Sequence, residues 1–231
     1  MGVSFLGTEY VARTLEVPGP ERLIVNMRGL DCVSFYENAL VLARCIKKGT
    51  MTFVNYRDEL KFIRYRGGVI DGYSSRLHYT SDYFYDNEKK GVWSDITRSL
   101  GGIPYRKTIK YMSTHRDQYR QLRENPANLE AIRKIEEEIT RREKYFIPKD
   151  NVAEIESGMV GGDIVGITTD IEGLDVLHTG ILVRQGARLH LLHAPAGGKK
   201  VEVSEKDFPE YLTRNKRYTG VMIVRPGEPR G

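Results

Sequence analysis

Long apolar runs and cysteines are scarce in this sequence of 231 residues, and each shortage excludes a class of protein. No stretch approaches the roughly 20 consecutive apolar residues that a membrane-spanning helix needs, so we predict no such segment. Residues 1–6 have neither a basic region nor an apolar run, which excludes a signal peptide within this sequence. Because a structured segment is predicted to begin within a few residues of Met1, we expect that a natural leader was removed.

Charge of one sign is not concentrated anywhere in the chain. Thirty-six Lys and Arg residues stand against 31 Asp and Glu residues, which gives a net charge of +5 and a pI near 9.1. Nucleic-acid binders usually collect their basic residues on one face or tail, whereas here both signs are interspersed. We therefore predict no nucleic-acid partner. With 40% apolar residues, the composition fits one globular domain over residues 1–231.

Both cysteines, Cys32 and Cys45, fall within one predicted helix that runs from Cys32 to about Lys48 and is closed by Gly49. Apolar residues recur there at the spacing of one helix face: Phe35, Tyr36, Ala39, Leu40, Leu42, Ala43 and Ile46. The cysteines are 13 positions apart, which corresponds to about 20 Å of helix, and a disulfide needs Cα atoms within about 7 Å. We predict no disulfide between them and a core position for Cys45.

The order of the predicted elements indicates an α+β fold. Residues 115–145 are charged and helical, with a cap at Asn128 before an apolar stripe of Leu129, Ile132, Ile135 and Ile139. From Asp150 onward the pattern changes to strands, over residues 163–168, 176–183, 189–194 and 221–224. A helix-rich half followed by a strand-rich half is typical of α+β rather than parallel α/β proteins.

Cys32 is the candidate nucleophile because it lies in the first turn of its helix. About half a positive charge faces that position, which favours the nucleophilic thiolate over the thiol. Most lone cysteines are buried core residues, however, so a catalytic role also requires a nearby base.

The candidate bases are His178 and His193, which lie on two strands joined by a glycine-containing turn. If the turn is centred on Gln185 and Gly186, positions 178 and 193 are directly opposite and share a face. His193 could then hydrogen-bond His178 and fix its tautomer, as the third member of a triad does. Two ordinary polar positions are the alternative, but both histidines interrupt apolar runs, where an unpaired imidazole is costly.

Two further patterns bear on ligand binding. His190 and His193 are three residues apart on a strand, so they point to opposite faces and cannot share a metal ion; we predict no metal and no cofactor. Residues 72–82 mix aromatic and polar side chains without a clear period. That pattern is typical of a binding loop, and also of a surface loop held by its aromatic residues.

The sequence resembles the NlpC/P60 cell-wall cysteine peptidases through the Asp-Cys motif in residues 30–37. More narrowly, it resembles the DUF1460 branch, described as N-acetylmuramoyl-L-alanine amidase-like. The matching segments are residues 7–16, 71–79, 112–115, 146–149 and 189–195. Together with the Asp-Cys motif, they are distributed over nearly the whole chain.

The resemblance implies a papain-like fold in which the Cys32 helix packs on an antiparallel sheet that carries His178 and His193. A helical and loop insertion over about residues 51–149 separates the cysteine part from the histidine part. The resemblance gives Tyr10 a place near the nucleophile, where it can help the oxyanion site. Asp31 either recognises a substrate amine or anchors the helix start. Further substrate-binding candidates are Arg76, His78, Tyr79, Asp82 and Thr179.

The implied substrate is a murein peptide, cut at the amide between the muramic-acid lactyl group and L-Ala, in murein or in anhydromuropeptides. The chain departs from the expected motifs at Val33-Ser34-Phe35-Tyr36 and at Leu177-His178-Thr179-Gly180, which leaves the pocket shape open. Two alternatives remain: a γ-D-glutamyl-diamino acid endopeptidase and a non-catalytic cell-wall-binding module. We expect a monomer located in the periplasm or cell envelope.

Overall fold

The computed structural model describes residues 1–229. Its α-helices are α1 (Cys32–Lys47), α2 (Phe53–Arg64), α3 (Thr80–Lys89), α4 (Tyr111–Thr114), α5 (Arg120–Glu124), α6 (Pro126–Arg141) and α7 (Phe208–Thr213). Its strands are β1 (Glu9–Tyr10), β2 (Gly29–Leu30), β3 (Trp93–Asp95), β4 (Ile103–Pro104), β5 (Tyr145–Pro148), β6 (Ile164–Thr169), β7 (Val176–Gln185), β8 (Arg188–His193), β9 (Glu202–Asp207) and β10 (Tyr218–Pro226). Short 3₁₀ turns occupy Gly2–Phe5, Arg66–Gly68, Tyr73–Ser75, Arg116–Gln118, Lys149–Asn151 and Glu156–Gly158.

An eight-stranded sheet forms the centre of the molecule, in the order β4-β5-β10-β6-β7-β8-β9, with β3 also paired to β10. Every pairing in this sheet is antiparallel. β1 and β2 form a separate parallel pair. The predicted mixture of helices with an antiparallel sheet is confirmed. No helix within residues 1–229 has the length and apolar character needed to cross a membrane.

The two faces of the sheet are covered by different elements. Helix α1 packs on one face, where Phe35 and Ala39 join Ile164 and Leu192 in one buried cluster. The other face is covered by α7 and the segment after β5, in a cluster that includes Phe208, Leu212, Val152 and Met159. A smaller cluster lies among α4, α5 and α6. Burial on both faces explains why the central strands are apolar without strict alternation.

The predicted helix after Asp31 is confirmed almost to the residue. Asp31 begins α1 as the N-cap: its carboxylate accepts hydrogen bonds from the backbone N–H groups of Val33 and Ser34. The Ser34 hydroxyl in turn accepts from the Asp31 N–H, which completes a capping box. Gly49 follows the helix at φ 66°, a left-handed conformation that glycine adopts without strain. Cys45 is a core residue, as predicted, with 2% of its surface exposed.

The β7–β8 hairpin turns one residue later than predicted, since Gln185 pairs with Arg188. A turn centred on Gln185 and Gly186 would place His178 opposite His193, and that register is wrong. The observed register places position 180 opposite position 193, a shift of two residues. Because side chains alternate between faces with a period of two, this shift keeps both histidines on one face as diagonal neighbours.

Residues 51–149 contain α2 to α6 and also contribute β3, β4 and β5 to the main sheet. The predicted stripe of α6 is confirmed: Leu129, Ile132 and Ile139 are buried. The cap is Asn125 and not Asn128, because the Asn125 side chain accepts from Ala127 N–H and Pro126 occupies the first helical position. That the whole of 51–149 is one family-specific insertion in a single domain stays a prediction.

A buried ion pair joins α1 to α2. The Arg64 guanidinium contacts the Glu37 carboxylate at 2.7 Å, and the side chains are 3% and 1% exposed. Arg64 also donates to the carbonyl of Ile24, which ties the amino-terminal segment to the same pair. Removing one partner of such a pair leaves a charge without compensation in the interior.

We expect the substitution Arg64→Met to lower the free energy of unfolding by about 3–5 kcal/mol, because the Glu37 carboxylate loses its partner. Arg141→Met is the matched control, since Arg141 contacts Glu137 on an exposed surface with 73% and 64% of the side chains accessible. That pair should contribute at most about 0.5 kcal/mol. Urea unfolding of both variants measures the difference, and equal losses would contradict the assignment of Arg64.

Candidate active site

Cys32 lies at the first turn of α1, where the helix meets β7. The Thr179 hydroxyl donates a hydrogen bond of 2.9 Å to the backbone carbonyl of Cys32. Thr179 directly follows His178 in β7, so this contact fixes the start of the helix against the strand that holds the histidine. The sequence places Cys32, His178 and Thr179 in one candidate site, and the structure brings these residues together.

His178 and His193 form a hydrogen-bonded pair. Nε2 of His178 lies 2.7 Å from Nδ1 of His193, and the rings cross at 76°. Burial and the neighbouring imidazole lower the pKa of His178 to about 3, and burial lowers the pKa of His193 to about 4. Both rings are therefore neutral near pH 7. If His178 donates from Nε2, its Nδ1 holds a lone pair that can accept a proton.

A β-bulge lies next to His178. In the β6–β7 ladder Ile167 pairs with His178 while Thr168 pairs with Val176, which leaves Leu177 as the extra residue. Bulges change the direction of side chains and occur frequently beside active sites. The bulge therefore sets the direction of the His178 side chain. The alternation of apolar and polar residues in the sequence does not predict this direction.

The Cys32 thiol is protonated at rest, in contrast to the sequence-based expectation. Burial first, and the Asp31 carboxylate second, raise its pKa to about 11, and hydrogen bonding from Thr179 opposes them. The residue as a whole is partly exposed, but desolvation of the sulfur outweighs the field of the helix N-terminus. The site thus holds a neutral thiol beside a neutral imidazole pair. A thiolate forms at this sulfur when a base takes the proton.

Tyr10 lies near the start of α1, where the resemblance implies a tyrosine. Burial raises the pKa of its phenol, and the charges of Cys32 and Asp31 add to the effect. The pairing of Tyr10 with Leu30 between β1 and β2 holds it there. Asp31 already occupies the N–H groups of Val33 and Ser34. The Cys32 N–H and the Tyr10 hydroxyl are therefore the donors available for an oxyanion.

Two tyrosines complete the surroundings of the histidine pair, and sequence reasoning missed both. The ring of Tyr211 meets the ring of His193 edge to face at 5.1 Å. Burial chiefly raises the pKa of Tyr211 and of Tyr218, and the charge of Cys32 contributes to both shifts. Tyr211 lies on α7, a helix of six residues, which is too short to show a recognisable apolar period.

Asp31 acts as the anchor of the helix start, the second of the two roles that the resemblance implies. We expect Asp31→Asn to preserve stability, because Asn is an equally good N-cap, and to lower the pKa of the Cys32 thiol. The sign follows from the Asp31 charge, which raises that pKa and is absent in the variant. The rate of Cys32 alkylation by iodoacetamide, measured against pH in a Cys45→Ala background, should reach its midpoint at lower pH. An unchanged or higher midpoint would contradict this electrostatic role.

A cavity of about 430 Å³ opens beside the first turn of α1. It is lined by Arg13, Leu15, Glu16, Asp31, Val33, Glu37, Arg64, Arg76, Leu77, His78, Gln118, Tyr119, Arg120 and Gln121. Asp31 and Val33 flank Cys32 in the chain, so the cavity adjoins the turn that carries Cys32, whereas Cys32 itself and the two histidines are not among the residues that line it. Arg76 and His78, both predicted to bind substrate, lie in its wall.

The other two residues predicted from the 72–82 segment lie outside this cavity. Tyr79 is buried and donates to Glu136 at 2.7 Å. Asp82 is 1% exposed between Arg66 and Arg142, at 2.7 Å and 2.9 Å. Both side chains are occupied by contacts that hold α3 to its neighbours. In place of a single loop, the segment is a 3₁₀ turn followed by the start of α3.

His190 does not join the histidine pair, and its Nδ1 contacts the Ser204 carbonyl at 2.9 Å. Within residues 1–229 no three His, Cys, Asp or Glu side chains are grouped as metal ligands. The chemistry that this arrangement supports is nucleophilic attack by Cys32 with an imidazole as base.

A family model described as N-acetylmuramoyl-L-alanine amidase-like (AmiA-like) matches residues 1–221 of the chain. Among curated protein sequences there is no significant match.

Solved structures match the chain over almost its whole length. An N-acetylmuramoyl-L-alanine amidase from Bacteroides uniformis is 36% identical, with a TM-score of 0.93, over 98% of this chain and 95% of that one. A Bacteroides fragilis protein, provisionally named a xylanase, is 37% identical, with a TM-score of 0.91, over 97% and 98%. A Legionella pneumophila protein assigned to DUF1460 is 20% identical, with a TM-score of 0.71, over 97% and 86%, and shows likeness of fold alone.

Proposed function

The chain belongs to the AmiA-like family, described as N-acetylmuramoyl-L-alanine amidase-like, and from this membership we propose that it is a cysteine-dependent N-acetylmuramoyl-L-alanine amidase. The bond cut is the amide between the lactyl group of muramic acid and L-Ala, in murein or in anhydromuropeptides. The observation that most supports this proposal is the hydrogen-bonded pair of His178 and His193 beside Cys32. The same arrangement favours membership of the NlpC/P60 superfamily with its papain-like fold, and the substrate favours a periplasmic or cell-envelope location.

Proton transfer from Cys32 to His178 starts the proposed reaction. In the tautomer that we assign to this pair, which is 2.7 Å apart, the Nε2–H of His178 donates to Nδ1 of His193. The Nδ1 lone pair of His178 is then the base. As Nδ1 takes the thiol proton, the sulfur attacks the lactyl carbonyl carbon and the carbonyl electrons move to oxygen. The Cys32 N–H and the Tyr10 hydroxyl stabilise this oxyanion, an effect worth about 3–4 kcal/mol per donor.

Breakdown of the tetrahedral intermediate returns the proton. His178 gives it to the amine of L-Ala as the carbon–nitrogen bond breaks, and the sugar-lactyl group remains as a thioester on Cys32. A water molecule then loses a proton to His178 and attacks the thioester. As the carbon–sulfur bond breaks, His178 returns that proton to the Cys32 sulfur. The products are the muramic acid carboxylate and the free peptide.

Glycoside hydrolysis, which the name of the Bacteroides fragilis neighbour raises, has less support. Most glycosidases need two carboxyl groups free to act as acid and as nucleophile or base. The carboxylates in the cavity wall are engaged: Asp31 caps α1, Glu16 contacts Arg76 at 2.6 Å, and Glu37 contacts Arg64 at 2.7 Å. These contacts favour the amidase over a xylanase.

Digestion of purified muropeptides, followed by mass spectrometry, tests the proposal. An amidase releases the intact peptide and leaves a sugar with a free lactyl carboxylate. The alternative γ-D-glutamyl-diamino acid endopeptidase would leave a sugar that still bears L-Ala–D-Glu. A non-catalytic wall-binding module would retain muropeptides without cutting them. Only the first product pattern, absent in Cys32→Ala, agrees with the proposed function.

A further inference from the structure

The arginines of the cavity beside Cys32 are not equivalent. Two are neutralised: Arg64 contacts Glu37 at 2.7 Å, and Arg76 contacts Glu16 at 2.6 Å and Glu21 at 3.3 Å. Arg76, the arginine that the sequence singles out, is thus already matched by two carboxylates. The other two, Arg13 and Arg120, line the same cavity without a carboxylate partner within residues 1–229.

Arg13 and Arg120 have N–H groups that make no hydrogen bond within residues 1–229. Arg120 donates to the carbonyl of Val17, which uses one of its five N–H groups. Arg13 is exposed and makes no side-chain hydrogen bond or ion pair within the described part of the chain. Its charge nevertheless reaches the cavity wall, because it lowers the pKa of Tyr119 against the larger effect of burial, which raises that pKa to about 12.

The backbone at Arg13 is held in an unusual conformation. Arg13 has φ 60°, and it is the only residue other than glycine with a positive φ in residues 1–229. This region is sterically unfavourable for residues with a Cβ atom, and such conformations cluster at functional sites. The carbonyl of Arg13 accepts from the Glu16 N–H at 3.1 Å, which closes a turn at the cavity wall.

Gln121 supplies a different kind of group to the same cavity. Its Oε1 is buried and has no hydrogen-bond donor in residues 1–229. A buried acceptor without a donor is costly, and a ligand N–H would satisfy it. The cavity therefore combines two unneutralised guanidinium groups with an acceptor for an N–H group.

We propose that this cavity binds the acidic peptide on the leaving side of the scissile amide, with a carboxylate on Arg13 and Arg120 and a backbone N–H on Gln121. The assignment rests on the proposed function. In that substrate the lactyl carboxyl group forms the scissile amide, so the free carboxylates belong to the peptide. Arginine suits this ligand because its planar fork matches carboxylate geometry. The sugar side of the substrate offers no comparable charge.

The test compares two substrates: muramoyl-L-Ala-D-Glu, and the same compound with both carboxyl groups of D-Glu converted to amides. We expect the wild type to prefer the carboxylate in kcat/KM by about ten- to hundredfold, the range of a charge-assisted hydrogen bond. Arg13→Gln and Arg120→Gln should each reduce this preference, because they slow hydrolysis of the carboxylate substrate more than hydrolysis of the amide. Arg133→Gln is the matched control, because Arg133 is an exposed arginine of α6 away from the cavity.

Equal rates on both substrates in the wild type would overturn the proposal, as would arginine variants that slow both substrates equally. Calorimetry with Cys32→Ala separates this outcome from failure of the proposed function, since it needs no hydrolysis. The probes are the L-Ala–D-Glu dipeptide and its amidated form, and only the acidic dipeptide should bind, with binding lost in the Arg13→Gln background. If only the acidic dipeptide binds but the wild type hydrolyses no muropeptide, the peptide site stands and the amidase is refuted. If the wild type hydrolyses both substrates at equal rates, the amidase stands and the peptide site is refuted.

Discussion

The substitution Cys32→Ala should abolish hydrolysis of muropeptides, with a fall in kcat of about 10⁶-fold, the size seen when a catalytic nucleophile is removed. The physical reason is the covalent step: without the sulfur no thioester forms, and His178 has no thiol to deprotonate. Alanine fits the position without a change of volume that would disturb α1. Initial rates from mass spectrometry of purified muropeptides measure the loss, and circular dichroism checks that the fold is retained.

Cys45→Ala is the matched control for this experiment. Cys45 lies in the same helix, about 20 Å along its axis from Cys32, and is buried in the core. Its replacement should lower stability by about 1 kcal/mol, through a small cavity, and preserve kcat. Hydrolysis that persists in Cys32→Ala, or is lost in Cys45→Ala, would refute the assignment of the nucleophile.

Substitution of each histidine in turn should distinguish the roles of His178 and His193. His178→Ala removes the base and should lower kcat by about 10⁵–10⁶-fold, close to the loss of the nucleophile. His193→Ala removes only the group that orients His178 and should cost about 10²–10⁴-fold. His193→Gln retains an acceptor for the Nε2–H of His178 and should recover part of the rate. Equal losses from both alanine variants would contradict the division of roles.

The pH dependence of kcat/KM distinguishes an electrostatic role of His193 from a purely structural one. The active form of His178 is neutral, and its pKa is lowered to about 3 by burial and by His193. The wild type should therefore retain kcat/KM at pH 5, where an imidazole with the ordinary pKa of about 6.5 is mostly protonated. In His193→Gln one lowering effect is absent, so the pKa of His178 rises and the acid limb moves to higher pH. An acid limb that stays in place would show that His193 does not act electrostatically.

The sequence predicts local structure far better than it predicts which distant segments of the chain come into contact. The capping residue Asp31, the apolar period after it and Gly49 are local signals, and α1 follows them. The far end of the predicted apolar face is less reliable: Ile46 has the right spacing but is 47% exposed, because the side of the last turn that is covered carries Arg44 and Cys45 instead. Periodicity indicates which residues share a face and not how far the covering surface extends.

The candidate catalytic residues could be predicted because their chemistry restricts them, even though the hairpin register was wrong. An error of two residues preserves the face of a strand, so the pairing of His178 with His193 did not depend on the turn. The cavity could not be predicted in the same way. Its wall joins residues 13–16 to residues 118–121, and no local pattern links segments so distant in the chain. Tyr79 and Asp82 looked like binding residues because burial and pairing are invisible in their local sequence.

The contact between Thr179 and Cys32 spans 147 residues of chain. Further backbone bonds join Gly7 to Val201 and Tyr10 to Lys199, so early segments of the chain are fixed by late ones. Contacts of such long range form only after the intervening chain has been made and collapsed. A chain still emerging from the ribosome therefore has its sulfur long before it has either imidazole. The ability to attack an amide should appear only near the completion of synthesis, and shortened products that stop before His178 should be inert.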